Sequence, residues 1–448
     1  ENCFALLVMQ CSLRVIPRRF NAIHSVAPRF FSAKAEGAVE VNRTQLDNGV
    51  TIISGAKKGD SLASAGVYVQ AGSAFESHSN HGCAHYLRRF LFKSTNRVSG
   101  LRMTRTIESI TASFTATNTP EVLAYTALFP HEHTGNAMAL MSDVLRPRLA
   151  EWEFRDVRNL VRHDVNERKS NKEENILDVV RHTAYGGVGL GRSPLCSEHN
   201  VNQIYPEHVA EYILNRVIGK NITVVGNVND HEKFVEVTAK YFGAFSKDPE
   251  TSGIEVDASE YIGGTQLVCD GPGSAYAEAY KGVASCTTSA FAQEILAEIL
   301  GFYSPGRVSP TDRRTSRLGK TLGKTNVSQA ASFILNDSQT VFGVQALGDV
   351  PCRELAEIVH AQLTGLASNI TEEEFITARN IVSAKSRFLN ERRENVLDTV
   401  ARFNFSDNSE FSEVTIDDVR NVAKKILESK PTVYASGDLA KLPSFAFQ

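Results

Sequence analysis

The sequence predicts an α+β protein of two tandem, homologous domains, each a mostly antiparallel sheet with helices packed on it. Three observations lead there. At 448 residues the chain is longer than one hydrophobic core supports. A helix followed by a strand closes the first half and returns at a constant offset near the C-terminus. Between the halves lies a polar stretch, SKDPETSGIEVDAS (246–259), in which Pro249 and Gly253 mark a linker. The expected layout is an N-terminal domain over 41–245, a linker over 246–259 and a C-terminal domain over 260–440.

The elements follow in chain order. TQLDNGVTIISG (44–55) reads as a hairpin, because Asn48-Gly49 supplies the turn between two short apolar runs. ASAGVYVQA (63–71) alternates like a strand and stops at Gly72-Ser73. Helices are expected over 82–92, 103–110, 135–145 and 152–168. A helix near 206–217 and the strand-like NITVVGNV (221–228) close the half. The second half ends alike, with a helix over 416–427 that carries Asp417 and Asp418 in its first turn, then PTVYASGDL (431–439). Matching Val209 with Val419 brings Val224 beside Tyr434, and each strand runs into a small-residue turn holding Gly226 or Gly437. Duplication of one α+β unit accounts for both endings.

Composition excludes several classes of function. Hydrophobic residues make up 42% of the chain, charged residues 22%, and the formal net charge is -3, so no nucleic-acid partner is expected. The seven cysteines, Cys3, Cys11, Cys83, Cys196, Cys269, Cys286 and Cys352, form no CxxC pair. Neither a zinc ribbon nor a disulfide scaffold is signalled, and a reducing compartment fits. No apolar run approaches the roughly 20 residues that a membrane-spanning helix needs. Residues 1–34 hold no acid after Glu1, and Arg14, Arg18, Arg19, Arg29 and Lys34 stand among apolar residues. This composition predicts a mitochondrial presequence, the alternative being a disordered basic tail. RFFS (29–32) resembles a matrix cleavage site and puts the mature start between Ser32 and Gly37.

The segment AGSAFESHSNHGCAHYLRRFLFKST (71–95) carries the chemistry. It resembles the pitrilysin/insulinase-type metallopeptidase family, in which a Gly-Ser strand end and a glutamate precede an inverted zinc motif, His-x-x-Glu-His, and then Phe-Lys-Gly-Thr. The resemblance extends from about Val41 to the end, loosely over 287–347, and implies the two-domain fold of that family. Such a site needs two imidazoles one helical turn apart, a glutamate base between them and a distal carboxylate ligand. Here His85 keeps one imidazole, while Arg88 takes the place of the base and Arg89 that of the second imidazole. Guanidinium groups offer no lone pair and stay protonated. At roughly 4 Å and an effective dielectric near 20, each also costs a cation about 4 kcal/mol per unit charge. The family's distal ligand falls on Asp164 or its neighbour His163. The motif His85, Arg88, Arg89 is therefore expected to be degenerate, with no catalytic residue, no metal and no cofactor. Adjacent helical residues point about 100° apart, so at most one arginine is expected in the old cavity, paired with Glu76 or Asp164.

Two other clusters read as surface. His131-Glu132-His133 lies between Pro130 and Gly135, as an exposed turn before a helix with no third ligand in view. Arg313, Arg314, Arg317, Lys320 and Lys324 read as a solvated basic face, or else as a site for an acidic partner.

Within the family the chain most resembles the core protein 2 branch. The shared features are a lone His85 followed by Leu87 and Arg88, Tyr261-x-Gly263-Gly264, and Ser436-Gly437-x-Leu439. That resemblance implies a structural subunit of the mitochondrial cytochrome bc1 complex (respiratory complex III), supporting electron transfer from ubiquinol to cytochrome c and not itself an enzyme. The implied partners are core protein 1, cytochrome b, cytochrome c1 and the Rieske protein, and the implied place is peripheral, on the matrix side of the inner membrane. The alternative is the non-catalytic α-type subunit of the matrix processing peptidase, which presents presequences to a zinc-bearing partner. Against it stands GFYSPGRVSPTDRRTSRLGKTLG (301–323), which has no glycine cluster where that subunit carries a glycine-rich loop.

Overall fold

The hairpin forms where Asn48-Gly49 predicts it. Strands β1 (Glu40–Gln45) and β2 (Thr51–Ala56) pair antiparallel with Thr44 opposite Ile52, and Gly49 takes a φ of 92° that other residues rarely adopt. The Asn48 amide donates to the Phe242 carbonyl at 2.8 Å, tying the turn to a distant helix end. The computed structural model describes residues 40–56, 62–228, 230–249, 259–269, 273–283, 288–305, 316–322, 325–392, 395, 397–398, 414–439 and 442–443. The presequence expected over 1–34, its cleavage site, and most of the linker lie outside the described residues.

The first half adds β3 (Leu62–Val69), β4 (Ser113–Asn118), β5 (Leu123–Pro130) and β6 (Ile222–Asn227) to one sheet, in the order β1-β2-β6-β3-β5-β4. The second half builds another from β7 (Gly264–Val268), β8 (Ser274–Lys281), β9 (Phe302–Tyr303), β10 (Val327–Asn336), β11 (Thr340–Gly348) and β12 (Thr432–Ser436), in the order β7-β12-β8-β11-β10-β9. Five consecutive strands correspond: β2-β6-β3-β5-β4 matches β7-β12-β8-β11-β10. In both sheets the closing strand runs parallel to one neighbour and antiparallel to the other. The sheets are thus mixed and mostly antiparallel, and the architecture is two tandem α+β domains.

The repeat holds in the closing helices but slips in the strands. Helices α6 (Pro206–Arg216) and α12 (Ile416–Leu427) place Val209 and Val419 in their respective cores, as matched. Val224 likewise faces the first core, yet Tyr434 faces the opposite side of its sheet, and the core positions of β12 are Val433 and Ala435. Side chains alternate along a strand, so a one-residue error turns every side chain to the wrong face. The counterpart of Val224 is Val433 or Ala435, not Tyr434.

Each sheet buries both faces, and this joins the halves. The inner face of the first packs against α1 (Cys83–Arg89), α3 (Thr134–Val144), α4 (Glu151–Ser170), α6 and α7 (His231–Phe242), and α2 (Gly100–Ser109) adds Met103 and Ile107. That of the second packs against α8 (Thr288–Leu300), α9 (Arg317–Leu322), α10 (Cys352–Gly365), α11 (Glu372–Glu391) and α12. The outer face of the second sheet is covered by α5 (Lys172–Ala184) of the first half, through Ile176, Val180 and Ala184 against Ala277, Phe333, Val341 and Tyr434. The outer face of the first sheet receives Leu397 of the second half, against Ile53, Tyr68, Ala124 and Val225. The Tyr68 hydroxyl donates to Asp398 at 2.6 Å beside it.

The β10–β11 turn reinforces the exchange. Ser338 N–H donates to Glu121 at 3.1 Å, Arg181 pairs with Asp337 at 3.4 Å, and the Tyr185 hydroxyl donates to the Gln339 carbonyl at 3.0 Å. Truncating Ile176, 2% exposed at this seam, is expected to cost about 2–4 kcal/mol by lost burial and the cavity left behind. Urea denaturation of Ile176→Ala checks it: the midpoint should fall, and an unchanged midpoint would mean that α5 does not hold the second sheet.

Candidate functional site

Helix α1 is short because its two ends are fixed by other parts of the chain. Gly82 precedes it with a φ of 115°, a left-handed conformation that suits glycine, and no side chain of the Gly82 position caps the helix. The buried carboxylate of Glu76 does so instead, accepting from Gly82 N–H at 2.8 Å and Ala84 N–H at 2.6 Å. A negative group at a helix N-terminus satisfies orphan donors and complements the dipole. His81 adds a contact at 3.0 Å to the same carboxylate. At the far end Tyr125 donates to the Leu87 carbonyl at 3.0 Å.

The motif residues converge on α4. His85 is fully buried, and its Nε2 lies 2.8 Å from Asp164 Oδ2. Arg88 Nη2 donates to the same oxygen at 3.0 Å, and Arg89 grips the carboxylate as a fork, through Nε to Oδ2 at 2.6 Å and through Nη2 to Oδ1. The expectation that at most one arginine reaches the old cavity is corrected: both do. The 100° separation applies at the helix surface, while the long aliphatic stems let both guanidinium groups curl onto one acceptor. Of the two candidates for the distal position, Asp164 is the one turned inward, and His163 is exposed. Of the two carboxylates proposed to pair with an arginine, Asp164 does so and Glu76 serves as the helix cap.

The hydrogen-bond pattern sets the imidazole's tautomer. Cys196 N–H donates to His85 Nδ1 at 3.2 Å, so Nδ1 carries the lone pair and Nε2 carries the proton given to Asp164. Burial lowers the pKa of His85, against the pull of the Asp164 hydrogen bond, and this favours the neutral ring. For Asp164 burial pushes upward, but hydrogen bonds from His85 and Arg89 and the charge of Arg89 prevail and hold the carboxyl well below the usual range. A zinc ion does not fit this donor set. The ring nitrogen that faces the cavity is a donor, both Asp164 oxygens are occupied, and two cations stand where ligand and base would be.

Residues that the sequence reading passed over complete the site. Cys196 contributes its backbone to His85, while burial pushes its thiol up to about 12 and makes it a poor nucleophile. Ser94, at a glycine position of the family pattern, donates through N–H at 3.1 Å and Oγ at 2.8 Å to the buried Glu153, which ties the turn after α1 to α4. Neither contact has a spacing signature, since the partners lie 111 and 59 residues apart.

The other clusters have local roles. His131–His133 forms a 3-10 turn between β5 and α3, and no group of three potential ligands that could hold a metal occurs among the described residues. Arg313, Arg314 and Lys324 lie outside the described residues. Arg317 departs from the solvated face expected of it: its side chain is 11% exposed, pairs with Glu374 at 2.8 Å and donates to the Gly365 and Asn369 carbonyls. Lys320 stays exposed, 3.8 Å from the same glutamate.

Removing the shared carboxylate leaves two guanidinium groups facing each other. Asp164→Asn is expected to lower stability by about 2–3 kcal/mol at pH 7, less than the ~3–5 kcal/mol of a fully sealed pair because Arg89 keeps 36% of its side chain in solvent. The folded pKa is depressed, so the contribution is complete above the unfolded value of about 3.9 and fades as pH falls through the folded one. Chemical denaturation across pH should show a constant gap from wild type at pH 5–8 that closes in acid. No gap at pH 7 would remove the proposed role.

The insulinase family of peptidases, M16, matches residues 51–198, and the M16 inactive domain matches 207–382. The chain is 26% identical over 424 residues to mitochondrial-processing peptidase subunit alpha-2 of Dictyostelium discoideum, covering 90% of this chain and 93% of that one. To subunit beta of the same organism it is 24% identical over 432 residues, covering 91% of each. A protease from Helicobacter pylori shares the fold, with a TM-score of 0.80 at 19% identity over 89% of this chain and 99% of that one.

These relatives correct the expectation of a non-enzymic subunit of an oxidoreductase complex. They are named as subunits of a peptidase, so core protein 1, cytochrome b, cytochrome c1 and the Rieske protein are not the partners they point to. The short features behind that expectation serve the fold. The Tyr261 hydroxyl donates to the Lys430 carbonyl at 2.9 Å, and Gly263 and Gly437 take φ values of 69° and 110°. Such positions have local structural tasks in this chain. The chain belongs to the insulinase (M16) family of peptidases.

Proposed function

We propose that the chain is an α-type subunit of a mitochondrial processing-peptidase assembly, working in the matrix, where it presents presequences to a zinc-bearing partner. The observation that carries this reading is the Asp164 knot, which uses His85, Arg88 and Arg89 for internal contacts and so supports a hydrolytic metal held by another subunit. The names of the relatives support the assembly, and the basic, nearly acid-free residues 1–34 support the compartment. No described helix is long and apolar enough to cross a membrane. A cleft of about 640 Å³ beside the α4–α5 junction, lined by Asn171, Lys172, Glu173, Ser274 and Asp349, offers room for an extended segment between the halves. The lack of a glycine cluster over 301–323 weighs against an α-type subunit. A glycine-rich turn does occur in the first half, where Gly186, Gly187 and Gly189 all have positive φ.

Tagged protein recovered from mitochondria tests the reading. It should bring down a second M16 chain, the pair should cleave a presequence peptide, and metal analysis should find zinc in the pair but well under one ion in this chain alone. Recovery with haem-bearing subunits and no cleavage would overturn it, as would stoichiometric zinc in the isolated chain.

A further inference from the structure

The Asp164 knot carries more cation than anion. Arg88 and Arg89 contribute two positive charges and Asp164 one negative, and His85 is held neutral by burial. The site therefore keeps a net charge of +1. It is open to water, since the Arg88 and Arg89 side chains are 23% and 36% exposed. Asp164 occupies Nη2 of Arg88 and Nε and Nη2 of Arg89. This leaves Nε and Nη1 of Arg88 and Nη1 of Arg89 without a hydrogen bond among the described residues, and none of the three is sealed from solvent.

We propose that these outward donors form a binding site for a carboxylate, of the kind that ends a peptide chain. Asp164 demonstrates the required chemistry from inside: two guanidinium groups already hold one planar carboxylate with a forked grip. A second carboxylate on the outer edges would neutralise the remaining charge, giving Arg88 and Arg89 an anion on each side. A phosphate dianion would overshoot to net negative, with Asp164 close by, and is disfavoured. The ligand is held by cations that stand where an active relative's motif places base and second imidazole. The chain thus gains a receptor for an anionic end at the position where it has no donors for a metal. The inference goes beyond the processing-subunit reading and does not depend on it, because binding is read on this chain alone.

Fluorescence anisotropy on the full chain provides the test. The probes are an N-terminally labelled Gly-Ser-Ala-Ser-Ala peptide with a free C-terminal carboxylate and its C-terminally amidated twin, in about 150 mM salt so that long-range attraction is screened. The acid should bind at least about tenfold tighter than the amide, as expected for charge-assisted hydrogen bonds. Arg88→Gln and Arg89→Gln should each shrink that ratio toward one. Asp164→Asn, checked for folding by its melting curve, should enlarge it by raising the site's charge. Displacement by acetate would assign free small carboxylates, whereas acid-selective binding that acetate does not displace would assign a peptide terminus. Equal affinity of wild type for acid and amide overturns the proposal, as does a ratio that survives in both arginine variants or displacement by inorganic phosphate as efficient as by acetate.

Discussion

The architecture rests on the need to cover two faces of each sheet. A sheet whose strands are apolar on both sides cannot leave either in water, and burying a single large aliphatic side chain contributes about 1.5–3 kcal/mol. Each half covers its inner face with its own helices and cannot cover its outer one. The outer faces are closed reciprocally, by α5 on the second sheet and by Leu397 on the first. Duplication alone would give two beads on a string; this exchange makes them interdependent. Polar contacts at the β10–β11 turn and the Tyr261 clamp on the start of β12 then act on halves already held together.

The motif helix is held at both ends by groups from outside it. Glu76 caps α1, Tyr125 bonds the Leu87 carbonyl near its end, and Asp164 points inward from α4. With these restraints in place both arginines reach one acceptor. A buried carboxylate is expensive unless paired. Here it receives hydrogen bonds from an imidazole and two guanidinium groups, so Asp164 fastens α1 to α4.

Local signals in the sequence were legible where geometry is decided within a few residues. Asn48-Gly49 fixed the hairpin, periodicity found α3, α4 and α6 to within about two residues, and the matched closing helices revealed the repeat. Strands were harder. β8 and β11 are buried along nearly their whole length, which erases the alternation that identifies a half-exposed strand, and the same loss let Val224 be matched to the wrong face of β12. At the site, the motif spacing put His85, Arg88 and Arg89 on one helix with Asp164 as a candidate neighbour. It did not show that two adjacent arginines share one acceptor, because side-chain reach is settled by the α1–α4 crossing. The partner of His85 Nδ1 is a backbone amide 111 residues away, which no pattern of residue types encodes. Tyr261, Gly263 and Gly437 do not decide the branch of the family, because each has a local structural task here: a hydroxyl bond to the Lys430 carbonyl, or a positive φ.

The exchanged helix also bears on how the chain is made. When α5 leaves the ribosome, the surface that will cover Ile176, Val180 and Ala184 does not yet exist, and its last strand is complete only with Ser436. From Ala184 to Ser436 is 252 residues, which at typical elongation rates takes on the order of 10–50 s. Throughout that interval a greasy stripe of the first half stands bare. The half that emerges first therefore cannot finish folding until the half that emerges last arrives.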